Sequence, residues 1–315
     1  MSARNRHFVS AIITPNFTNR GFSMLTYPEI DPVAVAIGPL KIHWYGLMYL
    51  AGFAAAWWLA MRRAQKPWSP VIKSEVEDLI LFCAIGVVVG GRLGYMFFYN
   101  FSELLAHPLS LFKVWEGGMS FHGGLIGVML AATIYARKIG TTFPALIDFV
   151  APLVPIGLGL GRIGNFIGQE LWGRETDGPW GMVFPRDPEL LVRHPSQLYQ
   201  AFLEGLVLFV VLWIYSSKPR PRLAVGGLFV LLYGIFRFLV EFVRQPDVGV
   251  EVMFGWMTRG QLLCLPMIVG GILLLIWSYR TQPLPEGRSQ GEDPEPEAKP
   301  KASKSTGKLK KSAAK

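Results

Sequence analysis

The sequence Gly161-Arg162-Ile163-Gly164-Asn165-Phe166 places two polar side chains at the end of an apolar segment. Residues 149–160, which precede it, are apolar or small, as in a helix that crosses a bilayer. Arg162 and Asn165 lie within about one helical turn of each other. An ionisable side chain at membrane depth is costly unless it snorkels to the surface, so it marks a functional site. The stretch therefore predicts a polar site at one end of a membrane helix.

The glycines around this stretch have other interpretations. Gly159, Gly161 and Gly164 match the spacing of a dinucleotide fingerprint, but no short strand precedes them and no soluble βαβ unit surrounds them. Small residues at such spacings also let membrane helices pack closely. The sequence allows both close helix packing and close approach of a ligand to the backbone.

The composition is that of a polytopic membrane protein. Hydrophobic residues make up 51% of the 315 residues. They are concentrated in runs of about twenty, the length that spans a bilayer. Much of the formal net charge of +9 lies in short loops and after Arg280, which fits the positive-inside rule better than binding to nucleic acid. Cys83 and Cys264 lie inside apolar runs without a nearby histidine or acid, so we expect neither a disulfide nor a reactive thiol.

Seven apolar segments predict an all-α integral membrane protein with about seven transmembrane helices. Basic residues follow the first, third, fifth and seventh segments, and such residues favour the cytoplasmic side. This pattern predicts an N-terminus outside and a C-terminus in the cytoplasm. The segments lie at about residues 44–61, 76–99, 120–138, 143 to the stretch at 161–166, 196–218, 225–243 and 261–279.

Three further segments flank or interrupt these helices. Residues 168–195 are polar and rich in glycine and proline, which predicts a small head on the outer surface. Residues 281–315 contain almost nothing apolar, so we expect a disordered tail that is either held at the anionic inner face or simply solvated. Residues 1–23 carry arginines on the outer side, so we expect the native chain to begin at Met24. The membrane domain then occupies residues 24–280.

The predicted topology brings polar residues from several helices to the outer half of the membrane. Tyr45 begins the first helix, His122 lies near the start of the third, and Arg162 and Asn165 end the fourth. The sixth segment adds a stripe of polar residues at its outer end. These groups predict one shared site rather than scattered surface charges.

Tyr233, Arg237, Glu241 and Arg244 are spaced so that they line one face of the sixth helix. Such a stripe must face protein or a water-filled cavity rather than lipid. Glu241 can neutralise Arg237 and Arg244 as a structural ion pair. Together with Arg162, the arginines still outnumber the nearby carboxylates, which indicates an anion site. A phospholipid headgroup is the expected anion at that depth, because guanidinium groups bind phosphate bidentately.

Histidines offer two further hypotheses. His122 precedes two glycines and is either a structural residue or the general base of the site, since the ordinary pKa of a histidine lies near 6.5. His194 and Ser196 suggest a hydrolase dyad, but the intervening proline favours a turn with Ser196 as the N-cap of the fifth helix. We find no spacing typical of metal ligands and expect no metal or other cofactor.

Several motifs resemble the prolipoprotein diacylglyceryl transferase family. The similarity runs in order from about Tyr27 to Arg280. The motifs are His43-Trp44-Tyr45-Gly46, Gly91-Arg92-x-Gly94-Tyr95, Ser120-Phe121-His122-Gly123-Gly124, Gly161-Arg162-x-Gly164-Asn165-Phe166 with Glu170 and Gly173, Arg193-His194-Pro195-Ser196-Gln197-Leu198-Tyr199, and Phe236-Arg237 with Glu241 and Arg244-Gln245-Pro246-Asp247.

The resemblance implies an enzyme of the bacterial inner membrane, and the topology predicted from the basic residues then puts its N-terminus in the periplasm. Such an enzyme moves the diacylglyceryl group of phosphatidylglycerol to the lipobox cysteine thiol of a prolipoprotein, forms a thioether and releases glycerol phosphate. It also implies that the critical positions are Tyr45, His122, Arg162, Asn165, Gly173 and Arg237, supported by Glu170, Glu241 and Arg244.

We expect His122 to take the thiol proton, Arg162 and Arg237 to hold the phosphate, and Tyr45 and Asn165 to orient the headgroup. A transporter or lipid flippase is the alternative from another class, and it predicts polar groups through the full membrane depth. A structural membrane anchor is a further alternative, but it leaves the buried arginines unexplained.

Overall fold

The computed structural model of the protein describes residues 25–38, 40–245, 257–285 and 287–288. The expected start at Met24, most of the expected tail, and Pro246 and Asp247 lie outside the described residues. Helices dominate the described part of the chain, in agreement with the sequence prediction.

The described helices coincide with the predicted apolar segments to within a few residues. The fourth segment is divided into two helices, and one short helix follows the second segment. The helices are α1 (Trp44–Ala64), α2 (Val76–Phe98), α3 (Phe101–Ala106), α4 (Phe121–Lys138), α5 (Phe143–Val150), α6 (Val154–Gly168), α7 (Ser196–Tyr215), α8 (Ala224–Val240) and α9 (Arg259–Thr281). Short 3₁₀ turns occupy Lys73–Glu75, Pro108–Phe112 and Val114–Glu116.

Three helical segments of the described chain are long and apolar enough to cross a membrane. They are Lys73–Phe98, Ser196–Tyr215 and Arg259–Thr281. The pair α5 and α6 forms a fourth candidate span if the two helices, which bend by 49° at their junction, are taken together. The coarse prediction of an integral membrane protein is therefore supported, whereas the number of seven spans stays a prediction.

Glycines allow α2 and α4 to pack almost backbone to backbone. A Cβ atom placed on Gly94 would lie 2.7 Å from Gly123 Cα, and one on Gly90 would overlap the Gly123 carbonyl. In α6, a Cβ atom placed on Gly159 would lie 3.0 Å from Gly205 Cα of α7, whereas a Cβ atom placed on Gly161 would meet nothing within 4 Å. Close helix packing therefore explains Gly159, and Gly161 leaves open space beside α6.

The head contains short strands that the all-α prediction missed. Strand β1 (Leu25–Thr26) runs parallel to β4 (Met182–Val183), which pairs antiparallel with β5 (Val192–Arg193). Strands β2 (Val33–Ile37) and β3 (Leu40–His43) form a separate hairpin. Strands of two to five residues are too short for alternation of apolar and polar residues to reveal them. The all-α description is therefore wrong for the head and right for the helical segments.

A small apolar cluster packs the head against the C-terminal end of α6. The rings of Tyr27, Phe166 and Phe184 pack together, with centroids 5.3 to 6.1 Å apart. The Tyr27 hydroxyl donates a hydrogen bond to the Ile167 carbonyl at 3.1 Å, which satisfies one acceptor at the C-terminus of α6. The head thus lies directly over the stretch that carries Arg162 and Asn165.

Candidate active site

The predicted ion pairs at the end of α8 are present. Arg237 Nη2 lies 3.0 Å from Glu241 Oε2, and Arg244 Nη1 lies 3.9 Å from Glu241 Oε1. Thr258, which caps α9, donates its hydroxyl hydrogen to Glu241 Oε1 at 3.1 Å. Glu241 is only 3% exposed. The carboxylate therefore fixes both arginines and ties α8 to the start of α9.

A second carboxylate, Glu204 of α7, was not predicted from the sequence. Its side chain is completely buried, and its Oε2 lies 3.9 Å from Arg162 Nε. It also interacts electrostatically with Arg237 and Arg244. Glu204 lies in a π-helical segment of α7, Ala201–Val207, and such segments occur often at functional sites. Glu204 therefore links arginines that the sequence places on two different helices.

Several polar atoms around these ion pairs lack hydrogen-bond partners among the described residues. They include Arg237 Nη1, both carboxylate oxygens of Glu204, both amide atoms of Gln200 and Gln261 Nε2. Buried polar groups are normally hydrogen-bonded to protein or to ordered water. Unpaired donors and acceptors in one buried region thus indicate a polar ligand or water.

The site carries a surplus of positive charge. Arg162, Arg237 and Arg244 interact with two carboxylates, Glu204 and Glu241, which leaves one positive charge among these five groups. In a region shielded from water, an uncompensated guanidinium group is costly. An anionic group with oxygen acceptors fits this arrangement.

Tyr45 and Asn165 flank Arg162 through the packing of α1 on α6. A Cβ atom on Gly164 would lie 2.8 Å from Tyr45 Cδ2, so the tyrosine ring covers that glycine. The Tyr45 hydroxyl is 3.2 Å from that of Tyr49, and the residue is 42% exposed. Asn165, which follows Gly164 in the chain, is buried. Gly164 therefore permits the close approach that places Tyr45 beside the arginine-bearing stretch.

Gly173 connects the head to the end of α8. Its N–H donates to the His194 carbonyl at 2.8 Å, and it forms a β-bridge with Arg244. A Cβ atom at this position would lie 2.5 Å from the Val243 carbonyl oxygen and 2.7 Å from His194 Cβ. Only glycine fits without a shift in the backbone. Gly173 is thus a packing residue that holds the segment carrying Arg244.

Glu170 lies at the rim of the site. Its side chain is exposed, and its backbone carbonyl accepts a hydrogen bond from Gln197 Nε2 at 2.6 Å. Glu170 also interacts electrostatically with Tyr45. Its position suits a group that faces an incoming substrate rather than one that binds deep in the helices.

The structure does not pair His122 with the arginines. His122 lies in the first turn of α4, is exposed, and has its ring edge-on to that of Phe121 at 5.7 Å. Across the described part of the chain its side chain forms no hydrogen bond or ion pair. Helix α4 packs chiefly on α2 through glycines. The general-base role of His122 therefore stays a prediction.

His194 and Ser196 form no dyad. His194 Nδ1 lies 3.3 Å from the Tyr199 hydroxyl, and burial lowers the pKa of this histidine. The Ser196 hydroxyl donates to the Leu171 carbonyl at 3.0 Å, so it does not cap α7, and the N-cap prediction is wrong. The His194 side chain contacts α7, whereas the Ser196 side chain contacts the head, so the two side chains do not meet.

Arg92 of α2 is a buried arginine with a structural explanation. Its Nε donates to the Leu111 carbonyl at 3.1 Å, and its guanidinium group also donates to the carbonyls of Ser110 and Gly117. These bonds hold the irregular segment between α3 and α4. Arg92 therefore does not add to the surplus charge of the candidate site.

These features define a helical membrane protein with a buried, cationic site at one end of its helices. The chain belongs to the prolipoprotein diacylglyceryl transferase family, whose sequence model matches residues 32–277. The relatives are transferases by name, and this chain is accordingly a transferase.

Individual relatives are similar over nearly their whole length. The chain is 61% identical over 262 residues to the phosphatidylglycerol–prolipoprotein diacylglyceryl transferase of Ectopseudomonas mendocina (strain ymp), an alignment that covers 83% of this chain and 98% of that protein. The protein of the same name from Azotobacter vinelandii is 59% identical over 263 residues, with 82% and 98% covered. That of Teredinibacter turnerae is 61% identical over 283 residues, with 85% and 99% covered.

Proposed function

We propose that this protein transfers the diacylglyceryl group of phosphatidylglycerol to the lipobox cysteine thiol of a prolipoprotein. The bond between the glyceryl carbon and the phosphate oxygen breaks, and a thioether bond forms between that carbon and sulfur. Glycerol phosphate leaves with the bonding electron pair, and the thiol proton passes to a base. The family match and the relatives' names support this reaction.

The observation that carries the proposal is the surplus positive charge at Arg162, Arg237 and Arg244 around two buried carboxylates. A phosphodiester supplies one negative charge and several acceptor oxygens. Guanidinium groups match that geometry and stabilise the charge that develops on the departing phosphate. Arg162 and Arg237 thus hold the phosphate, and Arg237 Nη1, which has no described partner, is a donor for it.

The remaining predicted residues have supporting roles. Tyr45 and Asn165 orient the headgroup beside Arg162, and Glu241 fixes Arg237 and Arg244. Glu170 faces the substrate from the rim, and Gly173 keeps the segment with Arg244 in place. The full set of proposed binding residues is Tyr45, Arg162, Asn165, Glu170, Gly173, Arg237, Glu241 and Arg244.

His122 is proposed as the base. A free thiol with a pKa near 8.5 is mostly protonated at neutral pH, so proton removal helps the attack. The exposed ring of His122 is accessible to a substrate. The cysteine thiol of the prolipoprotein then has to enter between His122 on α4 and the arginine site. The bound prolipoprotein must therefore contact both.

We place the protein in the bacterial inner membrane with about seven spans. Basic residues end α1, α4 and α9, which supports a cytoplasmic location for those ends and for the C-terminus. The arginine site then lies toward the periplasmic half, where a prolipoprotein signal peptide and the outer-leaflet lipid both reach it.

The test uses the purified full-length protein in detergent with phosphatidylglycerol and a peptide that contains a lipobox cysteine. Mass spectrometry should show a gain of one diacylglyceryl group on the peptide. Arg162→Ala should abolish the gain. Arg137→Ala, which changes an exposed arginine in the last turn of α4, should keep it. No gain with a wild-type sample that elutes as a single folded species would overturn the proposal.

A further inference from the structure

A second cluster of cationic side chains lies far from the candidate active site. An open cleft with a volume of about 50 Å³ lies where α1, α5, α7 and α8 end or begin. Tyr45 lies in the first turn of α1 and Arg63 in its last turn, and eighteen residues of helix separate them by about 27 Å. The cleft is lined by five basic residues and one acid, namely Arg63, Lys66, Lys218, Arg220, Arg222 and Asp148.

The single acid offsets only part of the positive charge, because Asp148, which interacts electrostatically with Arg63, faces five basic residues. The Asp148 carboxylate accepts hydrogen bonds from the N–H groups of Leu223 and Gly226, at 2.5 and 2.7 Å, and so caps the start of α8. Within the described residues, none of the five basic side chains forms an ion pair with a carboxylate at 4 Å or less. The cleft therefore holds a large surplus of positive charge.

Contacts with the protein hold two of the basic side chains of the cleft, Arg63 and Arg220, in fixed positions. Arg63 donates to the Phe149 carbonyl at 3.1 Å and to Ser216 Oγ at 2.6 Å. Arg220 donates to the Tyr215 carbonyl at 2.9 Å and stacks over the ring of Tyr215, 4.4 Å from its centroid. These contacts orient the guanidinium groups without neutralising them.

The other basic residues of the cleft have hydrogen-bond donors available for a ligand. Arg222 Nε is buried and has no hydrogen-bond partner within the described chain, and this residue lines the cleft. Lys66 and Lys218 are exposed at its mouth. A buried donor without a partner is costly, so it points to an acceptor that the protein itself does not supply.

The cleft also has an apolar side. Trp68, Phe149 and Val225 line it, and an adjoining cleft that shares Arg63, Lys66 and Ser216 adds Trp58 and Trp213. Tryptophan beside basic residues is typical of the interface between water and lipid headgroups. A ligand with an anionic phosphate and an apolar body fits both sides of this cleft.

We propose that this cleft binds the phosphate of an anionic phospholipid headgroup, at the opposite end of the helices from the candidate active site. Basic pockets between membrane helices on the cytoplasmic side bind such headgroups, and basic residues near the surface add to the attraction. The site binds lipid without reacting with it. Its function is to hold the ends of α1, α7 and α8 together at the membrane surface.

The test measures retention of phosphatidic acid and of zwitterionic phosphatidylethanolamine by native mass spectrometry of the full chain in detergent. All samples carry Arg162→Ala, which weakens lipid binding at the candidate active site. We expect Lys66→Gln combined with Arg222→Gln to weaken phosphatidic acid binding at least about tenfold. The matched pair Arg137→Gln and Arg280→Gln, both exposed, should leave it unchanged.

Two further measurements make the result decisive. Lys66→Gln alone, at an exposed position, should weaken binding about threefold, and it provides an answer if the double variant does not fold. Inorganic phosphate at millimolar concentration distinguishes the sources of the phosphate: retained lipid supports a headgroup, and displaced lipid supports a soluble phosphate in the same cleft. Unchanged binding in both variants, or equal weakening of phosphatidylethanolamine, would overturn the proposal. Because the readout is retention, it does not depend on transferase activity.

Discussion

Arg162 Nε lies 3.9 Å from Glu204 Oε2, and neither oxygen of that buried carboxylate accepts a hydrogen bond within the described chain. The two residues come from α6 and α7, which pack closely where Gly159 meets Gly205. A carboxylate this far from water needs a nearby cation, and Arg162 is the nearest. The distance is longer than a direct hydrogen bond, so the guanidinium group keeps donors available for a substrate phosphate.

Glu204→Gln tests whether this carboxylate competes with the substrate for Arg162. The substitution keeps the shape and removes the charge, so the guanidinium group should bind the ground-state phosphodiester more strongly. We expect a lower KM for phosphatidylglycerol and a kcat reduced at least about tenfold, because the arginine is then less well placed for the departing phosphate. Steady-state kinetics with a lipobox peptide measure both.

Glu77→Gln is the matched control for Glu204→Gln, because Glu77 is an exposed glutamate at the start of α2. It should leave both constants unchanged. Glu204→Gln should also unfold at a lower temperature than the wild type, since breaking a buried ion pair costs about 3–5 kcal/mol. A higher KM with an unchanged kcat would contradict the proposed competition.

Gly173→Ala should separate the head from the end of α8. The added methyl group would lie 2.5 Å from the Val243 carbonyl oxygen and 2.7 Å from His194 Cβ, so the backbone must move. Overpacking of this kind costs about 1–3 kcal/mol. We expect a lower melting temperature in detergent and a loss of most transferase activity, because Arg244 pairs with Gly173 across the β-bridge.

The control for Gly173→Ala is Gly157→Ala in α6. A Cβ atom there meets nothing within 4 Å, and alanine favours a helix more than glycine does. This variant should be as stable as the wild type or slightly more so. Equal melting temperatures for the two alanine variants would show that the close contacts at Gly173 relax without cost.

The sequence predicts the helices well because long apolar segments bounded by basic residues leave few alternatives. The segment beginning at Val76 ends one residue from its predicted boundary, and α8 and α9 begin within two residues of theirs. The ion pair of Arg237 with Glu241 is also predictable, since a spacing of four residues places both on one helical face.

Glu204 escaped prediction for a physical reason. It meets Arg162 across two helices, and no local spacing reports such a contact. The available signal was that Gln197, Gln200 and Glu204 fall on one face of an otherwise apolar helix, and all three are completely buried. A lone carboxylate in such a helix needs a partner from another segment, and only the fold identifies it.

The buried pair of Arg193 and Asp187 predicts a pH-dependent head. Burial raises the pKa of the Asp187 carboxyl, but hydrogen bonds from Arg193 and from the N–H groups of Glu189 and Leu191 outweigh it, so the pKa lies below its usual range. A lowered pKa stabilises the folded head above the unfolded value near pH 4. That stability is lost as the pH falls through the folded pKa.

We therefore expect the melting temperature of the wild-type protein to fall as the pH drops below about 4, and to go on falling until the pH has passed the lowered pKa of Asp187. Arg193→Gln should lower it at pH 7, because the carboxylate is then buried without its partner, at a cost of about 3–5 kcal/mol. The variant should also show a weaker dependence on acid. Arg186→Gln, an exposed arginine of the same head, should retain the wild-type profile. Identical acid profiles for Arg193→Gln and the wild type would contradict this account.

His122→Gln addresses the one predicted catalytic group that the structure leaves apart from the arginines. If the exposed imidazole removes the thiol proton, the variant should lose about 10²–10⁴-fold in transfer rate, the usual contribution of a general base. Retention of phosphatidylglycerol should not change, because Arg162 and Arg237 remain. His107→Gln, an exposed histidine after α3, is the control. A His122→Gln rate that approaches the wild-type rate as the pH rises toward the thiol pKa would support proton removal, since the thiolate then forms without a base. A His122→Gln rate equal to that of the wild type at neutral pH would exclude this role and assign the proton to solvent or to another group.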